Sequence, residues 1–228
     1  AYIFAQQNLV SAPVVDDSER LIGVITIDDI VDVIHQEAEE DIMRLGGVQE
    51  DDLYAAVLDT GKSRFTWLFV NLITAVLASV VIGLFQGTIE QVVMLAVLMP
   101  IAASMGGNAG TQTLTVAVRA IAMKELTMTN ALRVLSKEVL VGTFNGLLFA
   151  VIIGVIAWVW SGSIGIGAVM AVAMVITMII AGLAGAAIPL GLSWTRFDPA
   201  IASGVFLTTI TDVVAFLAFL GLGTWFLI

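Results

Sequence analysis

Five apolar stretches fill most of the chain after residue 64: residues 65–85, 91–123, 139–160, 166–193 and 199–228. A helix needs roughly 20 residues to cross ~30 Å of hydrocarbon, so each stretch predicts a transmembrane helix. The second and fourth are longer than that, which predicts tilt, a break or an extension into water. The second also carries a polar run at 104–115 containing Gly106, Gly107, Asn108 and Gly110. Unwound backbone at membrane depth is tolerated where protein buries it or water lines it, and on that reading Gly106, Gly107 and Asn108 break the helix beside a pathway. Gly106 and Gly110 equally form a small-xxx-small pair suited to close helix packing. The residues alone leave both readings open. Gly142 and Gly146 form a second such pair, and there packing is the expectation.

The first 64 residues have a different pattern. Residues 13–16 and 21–26 read as two short strands around a polar turn at 17–20. A helix then starts near Thr26–Asp29, an acid-rich cap region, and Gly46-Gly47 ends it. At 100° per residue, Ile30, Val31, Ile34, Ala38, Ile42 and Leu45 share one side. Asp29, Asp32 and Glu40 lie opposite, with Glu37 and Asp41 on the flank.

Charge sharpens this division. Residues 1–64 hold 14 acids and four bases, a net of −10, whereas residues 65–228 hold five of each. An acidic, water-facing segment suits a cationic partner and excludes nucleic acid as the natural one, although a merely solubilising face has the same charge. With 59% hydrophobic and 12% charged residues, the chain is an integral membrane protein with a small polar part. It contains no Cys, which excludes disulfides and thiolate metal sites. Its one His, His35, has no partner at metal-ligand spacing and reads as a surface or packing residue. The chain opens in what reads as the middle of a domain, so a longer protein is expected.

The loops predict orientation. Lys62 and Arg64 precede the first span. Arg119, Lys124, Arg133 and Lys137 cluster between the second and third, and Arg196 lies between the fourth and fifth. The connections around Gly87 and Gly162 carry no Lys or Arg. The positive-inside rule then places the N-terminus in the cytoplasm and the C-terminus outside a cell (inner or plasma) membrane. Trp67, Trp158, Trp160, Trp194 and Trp225 all fall near span ends, where indole prefers the interface.

Asp212 lies near the middle of the last span. A carboxylate in a bilayer core is costly and is normally kept for an ion site, a pathway or a proton relay. One carboxylate per protomer, paired across a symmetry axis, would make a −2 site matched to a hydrated divalent cation. The hydroxyls of Thr208, Thr209 and Thr211 are placed to accept hydrogen bonds from its water. The plain competing reading is a structural Asp bonded to a neighbouring helix. Intramembrane hydrolysis would need a paired acid, a Ser/His or Ser/Lys set or a strongly held metal, and one lone Asp argues against an enzyme.

Two motifs bring in a resemblance. PVVDDSERLIGVITIDDIVDV at 13–33 resembles the closing strand–strand–helix part of a CBS motif. PIAASMGGNAGTQ at 100–112, followed by Arg119-Ala120, together with the acidic helix, five spans and the late Asp, resembles the MgtE family of magnesium channels. The resemblance implies an all-α polytopic membrane protein with three parts. Residues 1–34 end a CBS motif, 35–64 form an acidic connecting (plug) helix and linker, and 65–228 form a five-helix pore domain. It implies a homodimer in the lipid bilayer with one pore on the two-fold axis, lined mainly by the second and fifth spans, and a plug helix that closes it.

The resemblance also assigns residues. The pore aspartate maps onto Asp212 and a backbone carbonyl one turn earlier onto Thr208. Pore-lining positions are Gly106, Gly107, Asn108, Gly204, Thr209 and Thr211. Asp29, Asp32, Glu37, Glu40 and Asp41 map onto carboxylates that sense cytosolic Mg²⁺. Some members have Pro at Val205 and Gly at Ala215, a departure that touches local pore shape. ATP is a partner of an intact CBS module, of which only the tail is present. The expected function is a Mg²⁺-selective channel, with Mg²⁺ both as cargo and as gating ion. Two other readings stay open: a proton-coupled transporter of divalent cations with Asp212 as proton carrier, and a nucleotide-regulated membrane scaffold that transports nothing.

Overall fold

The computed structural model describes residues 1–48, 56–194 and 199–228. Arg196 lies outside the described residues, as do the side chains of Ala38, Asp41 and Leu45. The chain divides into two units, Ala1–Arg64 and Phe65–Ile228.

The first unit begins with a short helix, α1 (Tyr2–Gln7), followed by β1 (Ser11–Val15) and β2 (Leu21–Thr26). The strands pair antiparallel, Ser11 opposite Thr26 and Pro13 opposite Val24, with an irregularity at Val14/Val15. Asp16 makes the turn between them: its Oδ1 accepts the backbone N–H of Ser18 at 2.8 Å and of Arg20 at 2.9 Å. Helix α2 (Ile27–Leu45) starts where the cap residues predict, is continuous across residues 34 and 35, and stops at Gly46, with Gly47 at φ 68°. Of the described residues on its apolar side, Ile30 is buried, while Val31, Ile34 and Ile42 are exposed.

The second unit contains most of α3 (Val57–Leu84), then α4 (Gln86–Gln91), α5 (Met94–Ala122), α6 (Ala131–Ser161), α7 (Ile164–Leu192) and α8 (Pro199–Leu227). Among the described residues, four helices are long and apolar enough to cross a membrane: α3, α6, α7 and residues 203–227 of α8. Helix α5 is as long, but its polar run lowers its hydropathy. The chain is thus an all-α, multi-pass membrane protein with a two-stranded element before it.

Helix α7 is central. It is apolar all round and packs against α5, α6 and α8, as a helix without a polar face must. Glycine makes these contacts close. An added Cβ at Gly142 would lie 2.6 Å from the Met178 carbonyl oxygen, and one at Gly146 would lie 3.1 Å from the Val175 Cα. The packing expected of Gly142 and Gly146 is therefore present, and it joins α6 to α7. At the far end of α6, Gly162 at φ 66° allows the abrupt turn into α7. Most of α3 is exposed, and its large apolar residues, Phe65, Leu68, Leu72 and Val76 among them, face outward from this single chain.

Two further features shape the bundle. The connection around Gly87 is the short helix α4, and Thr88 on it shares a 2.8 Å hydroxyl hydrogen bond with Thr224 of α8. Helix α5 is not broken at Gly106, Gly107 or Asn108, but runs unbroken from Met94 to Ala122. The reason is packing. The space beside Gly106 is filled by Thr177 of α7, whose Cγ2 would be 2.5 Å from an added Cβ, and that beside Gly110 by Leu207 of α8 at 2.9 Å. Side chains from neighbours occupy the glycine notches, so the backbone keeps its helical hydrogen bonds.

Candidate functional site

Helices α5 and α8 run antiparallel in tight register. Added Cβ atoms at Gly223, Gly106 and Gly110 would meet Leu95, Thr211 and Leu207 at 3.0, 3.6 and 2.9 Å, respectively. Asp212 follows Thr211 and so sits at the level of Gly106. It is partly buried, and among the described residues its carboxylate has no hydrogen-bond or ion-pair partner. The structural reading required a bond to a neighbouring helix, and that bond is absent among these residues.

Polar exposure on the two helices is ordered. Ser104, Asn108, Thr111 and Thr115 of α5 are all exposed, and at 100° per residue they fall within an arc of about 60°. On α8, Gly204, Thr208 and Asp212 recur every four residues; Thr208 is exposed and the other two are partly exposed. Elsewhere the outer surface of the bundle is dominated by Val, Leu, Ile and Phe. In lipid the Asn108 amide and the Asp212 carboxylate would lack hydrogen-bond partners, so stripes that carry them mark a face turned to water or to protein.

The threonine hydroxyls of α8 are held by their own helix. Thr208 donates to the carbonyls of Gly204 and Val205, both at 3.1 Å, and Thr209 to that of Val205 at 2.7 Å. Thr211 donates to Leu207 at 3.0 Å and to the Thr208 carbonyl at 3.1 Å. Their protons spent inside the helix, these oxygens are left as acceptors. Thr211 is buried against Gly106, Thr209 is partly buried, and Gly107 has open space beside it. The structure thus brings Asp212, Thr208 and Gly204 onto one side of α8 and Asn108 onto the exposed stripe of α5. Gly106 and Thr211 lie in the contact between the two helices. Deeper still, the hydroxyls of Thr177 and Ser203 are buried with no hydrogen-bond partner among the described residues.

The described carboxylates of α2 do not converge on one point. Among the described residues no three acids or histidines are placed to share a metal ion. Asp29 is engaged in capping: its Oδ2 accepts the backbone N–H and the hydroxyl of Thr26, each at 2.8 Å. These two hydrogen bonds, the backbone one foremost, hold the Asp29 carboxyl below its ordinary value of 3.8. Glu40 pairs with Arg44 one turn on. Because its folded value is lowered, the Asp29 cap stabilises the helix above pH ~3.8 and is lost as pH falls through the lowered value. Amide exchange at Thr26 should therefore stay slow from neutral pH down to about 4, and Asp29→Ala should make it fast throughout.

The residue pattern alone does not single out Glu138. Its neighbour Lys137 assigns it to the loop, yet its side chain is only 13% exposed and its Oε2 accepts the Thr113 hydroxyl of α5 at 3.0 Å. A signal exists in the sequence: Glu138, Gly142 and Gly146 recur every four residues, so the acid continues the glycine ridge that packs on α7.

The sequence profile of the MgtE family, described as a divalent cation transporter, matches residues 99–222, more than half of the chain. The chain belongs to the MgtE family. The MgtE match includes both polar stripes and Asp212, and a CBS domain profile matches residues 1–36. Three relatives are each named magnesium transporter MgtE. The protein from Bacillus subtilis is 33% identical over 230 residues, covering 100% of this chain and 51% of its own length. That from Enterococcus faecalis is 34% identical over 220 residues, 96% of this chain and 49% of its own. That from Thermus thermophilus is 34% identical over 224 residues, with the same shares. This MgtE chain spans about half the length of the curated relatives it matches.

Proposed function

We propose that this chain is the membrane part of a Mg²⁺ channel in which hydrated Mg²⁺ passes along the polar stripes of α5 and α8 and is held at Asp212. The observation that carries this is a carboxylate with no partner among the described residues, beside two polar stripes in a bundle otherwise clothed in apolar side chains. Mg²⁺ keeps its inner waters, and acceptor oxygens at Asp212 and Thr208 bind them through outer-shell hydrogen bonds. Asn108, Thr111 and Thr115 continue the wet face along α5.

One chain presents this face openly, and a channel must enclose it. A second copy about a two-fold axis through the stripes would do so and set two Asp212 carboxylates against one divalent ion. The exposed apolar surface of α3 suits the same assembly or lipid. The charge pattern of the loops supports a cytoplasmic N-terminus. On this reading Asp29, Asp32, Glu37, Glu40 and Asp41 of α2 gate the pore, with cytosolic Mg²⁺ relieving their mutual repulsion against a further domain. An intact CBS module would be the place for ATP.

Mg²⁺ uptake into proteoliposomes, with and without a pH gradient, tests the reading. A channel gives uptake that follows the Mg²⁺ electrochemical gradient and is unchanged by a pH gradient. Uptake that tracks the pH gradient would make Asp212 a proton carrier and the protein a coupled transporter.

A further inference from the structure

Three helices meet closely at the level of Glu138. An added Cβ at Gly182 of α7 would lie 2.8 Å from the Glu138 carbonyl oxygen of α6. One turn on, an added Cβ at Gly185 would lie 2.6 Å from the Gly110 carbonyl oxygen and 2.8 Å from the Thr113 Cβ of α5. Helix α7 therefore has no side chain where α5 and α6 approach it from two sides. Across this notch the Glu138 carboxylate reaches α5 and accepts the Thr113 hydroxyl. Helices α5 and α6 otherwise touch little, since α7 lies between them.

The group chosen for this tie is informative. A neutral acceptor would serve simple packing, whereas a carboxylate this enclosed at the edge of a membrane bundle is costly to keep. Lys137 Nζ, 3.8 Å from the other carboxylate oxygen, offsets part of that cost. Both residues line a cavity of about 210 Å³ with Thr113 and Glu125. Thr113 stands two residues from Thr111 and from Thr115, on the side of α5 away from the polar stripe. A bond to Thr113 thus grips α5 from behind and sets where its wet face stands.

We infer that Glu138 is a positioning residue for ion passage, holding α5 through Thr113 in the placement that conducts. It does not touch the ion. The inference rests on the reading that α5 and α8 line the path.

The test is Mg²⁺ uptake by the reconstituted protein as a function of Mg²⁺ concentration, per folded protein, for Thr113→Val, Thr113→Ser, Glu138→Ala and the Thr113→Val/Glu138→Ala pair, with Asp212→Asn alongside. Thr113→Val preserves shape, so it remains informative if Glu138→Ala fails to fold. Thr113→Val and Glu138→Ala should each lower maximal uptake about tenfold, the population change expected from losing one hydrogen bond to a charged group. The half-saturating concentration should not move, Thr113→Ser should restore uptake, and the double variant should be no worse than either single. Unchanged maximal uptake in Thr113→Val, or additive losses in the pair, would overturn the role of Glu138. Either would leave the pore reading standing if Asp212→Asn is inactive. Wild-type uptake in Asp212→Asn would instead overturn the pore reading and the positioning role with it.

Discussion

Asp212→Asn is expected to leave the bundle folded and to lower Mg²⁺ uptake at least about a hundredfold. A carboxylate and a divalent ion roughly 5 Å apart attract by about 7 kcal/mol at an effective dielectric constant of ~20, and each ~1.4 kcal/mol is tenfold in occupancy. Only a fraction of that attraction needs to be lost. The fold should survive because Asp212 has no partner among the described residues to leave stranded, and Asn has the same shape. Uptake by proteoliposomes and size-exclusion behaviour in detergent check the two halves of the prediction. Normal uptake by the variant would remove the ion site.

Gly185→Ala is expected to destabilise the bundle strongly, whereas Gly107→Ala should not. At Gly185 the added methyl meets backbone, the Gly110 carbonyl oxygen at 2.6 Å and the Leu114 nitrogen at 3.2 Å, as well as the Thr113 Cβ at 2.8 Å. None of these can swing aside, so α5 and α7 must separate, at a cost of about 1–3 kcal/mol or more. At Gly107 nothing lies within 4 Å, and Ala is favoured over Gly in a helix by roughly 0.5–1 kcal/mol. Thermal unfolding in detergent should show a lowered midpoint for the first variant and an unchanged or raised one for the second. A comparable loss in Gly107→Ala would mean that the space beside Gly107 is filled, by a second copy across the stripes or by another course of α5.

Hydropathy makes the helices legible because a bilayer demands long apolar runs and little else competes with that signal. The hairpin before α2 is legible from its two short runs rich in Val and Ile and from the polar turn that Asp16 organises. The polar run of α5 is harder. Gly106 and Gly110 are compatible with a break and with close packing, and only the positions of Thr177 and Leu207, on helices far away in the chain, decide for packing. Asp212 is legible by itself, since a lone acid in an apolar span has few uses. Its freedom from any partner among the described residues is not, because that depends on which helices surround it. Glu138 escapes notice for a related reason: the eye assigns an acid beside Lys137 to the loop, while the helix period assigns it to the packing face.

The most direct test of the central claim is water accessibility along the stripes. The chain has no Cys, so single cysteines at Asn108, Thr111 and Thr208, with Val151 and Val172 as exposed apolar controls, report without background. The thiolate, which forms only in water, is the nucleophile that attacks a hydrophilic thiol reagent. The account predicts rapid labelling at Asn108→Cys, Thr111→Cys and Thr208→Cys, slowed by added Mg²⁺, and none at Val151→Cys or Val172→Cys. Stripe positions as inert as the two controls would show that α5 and α8 do not line an aqueous ion path.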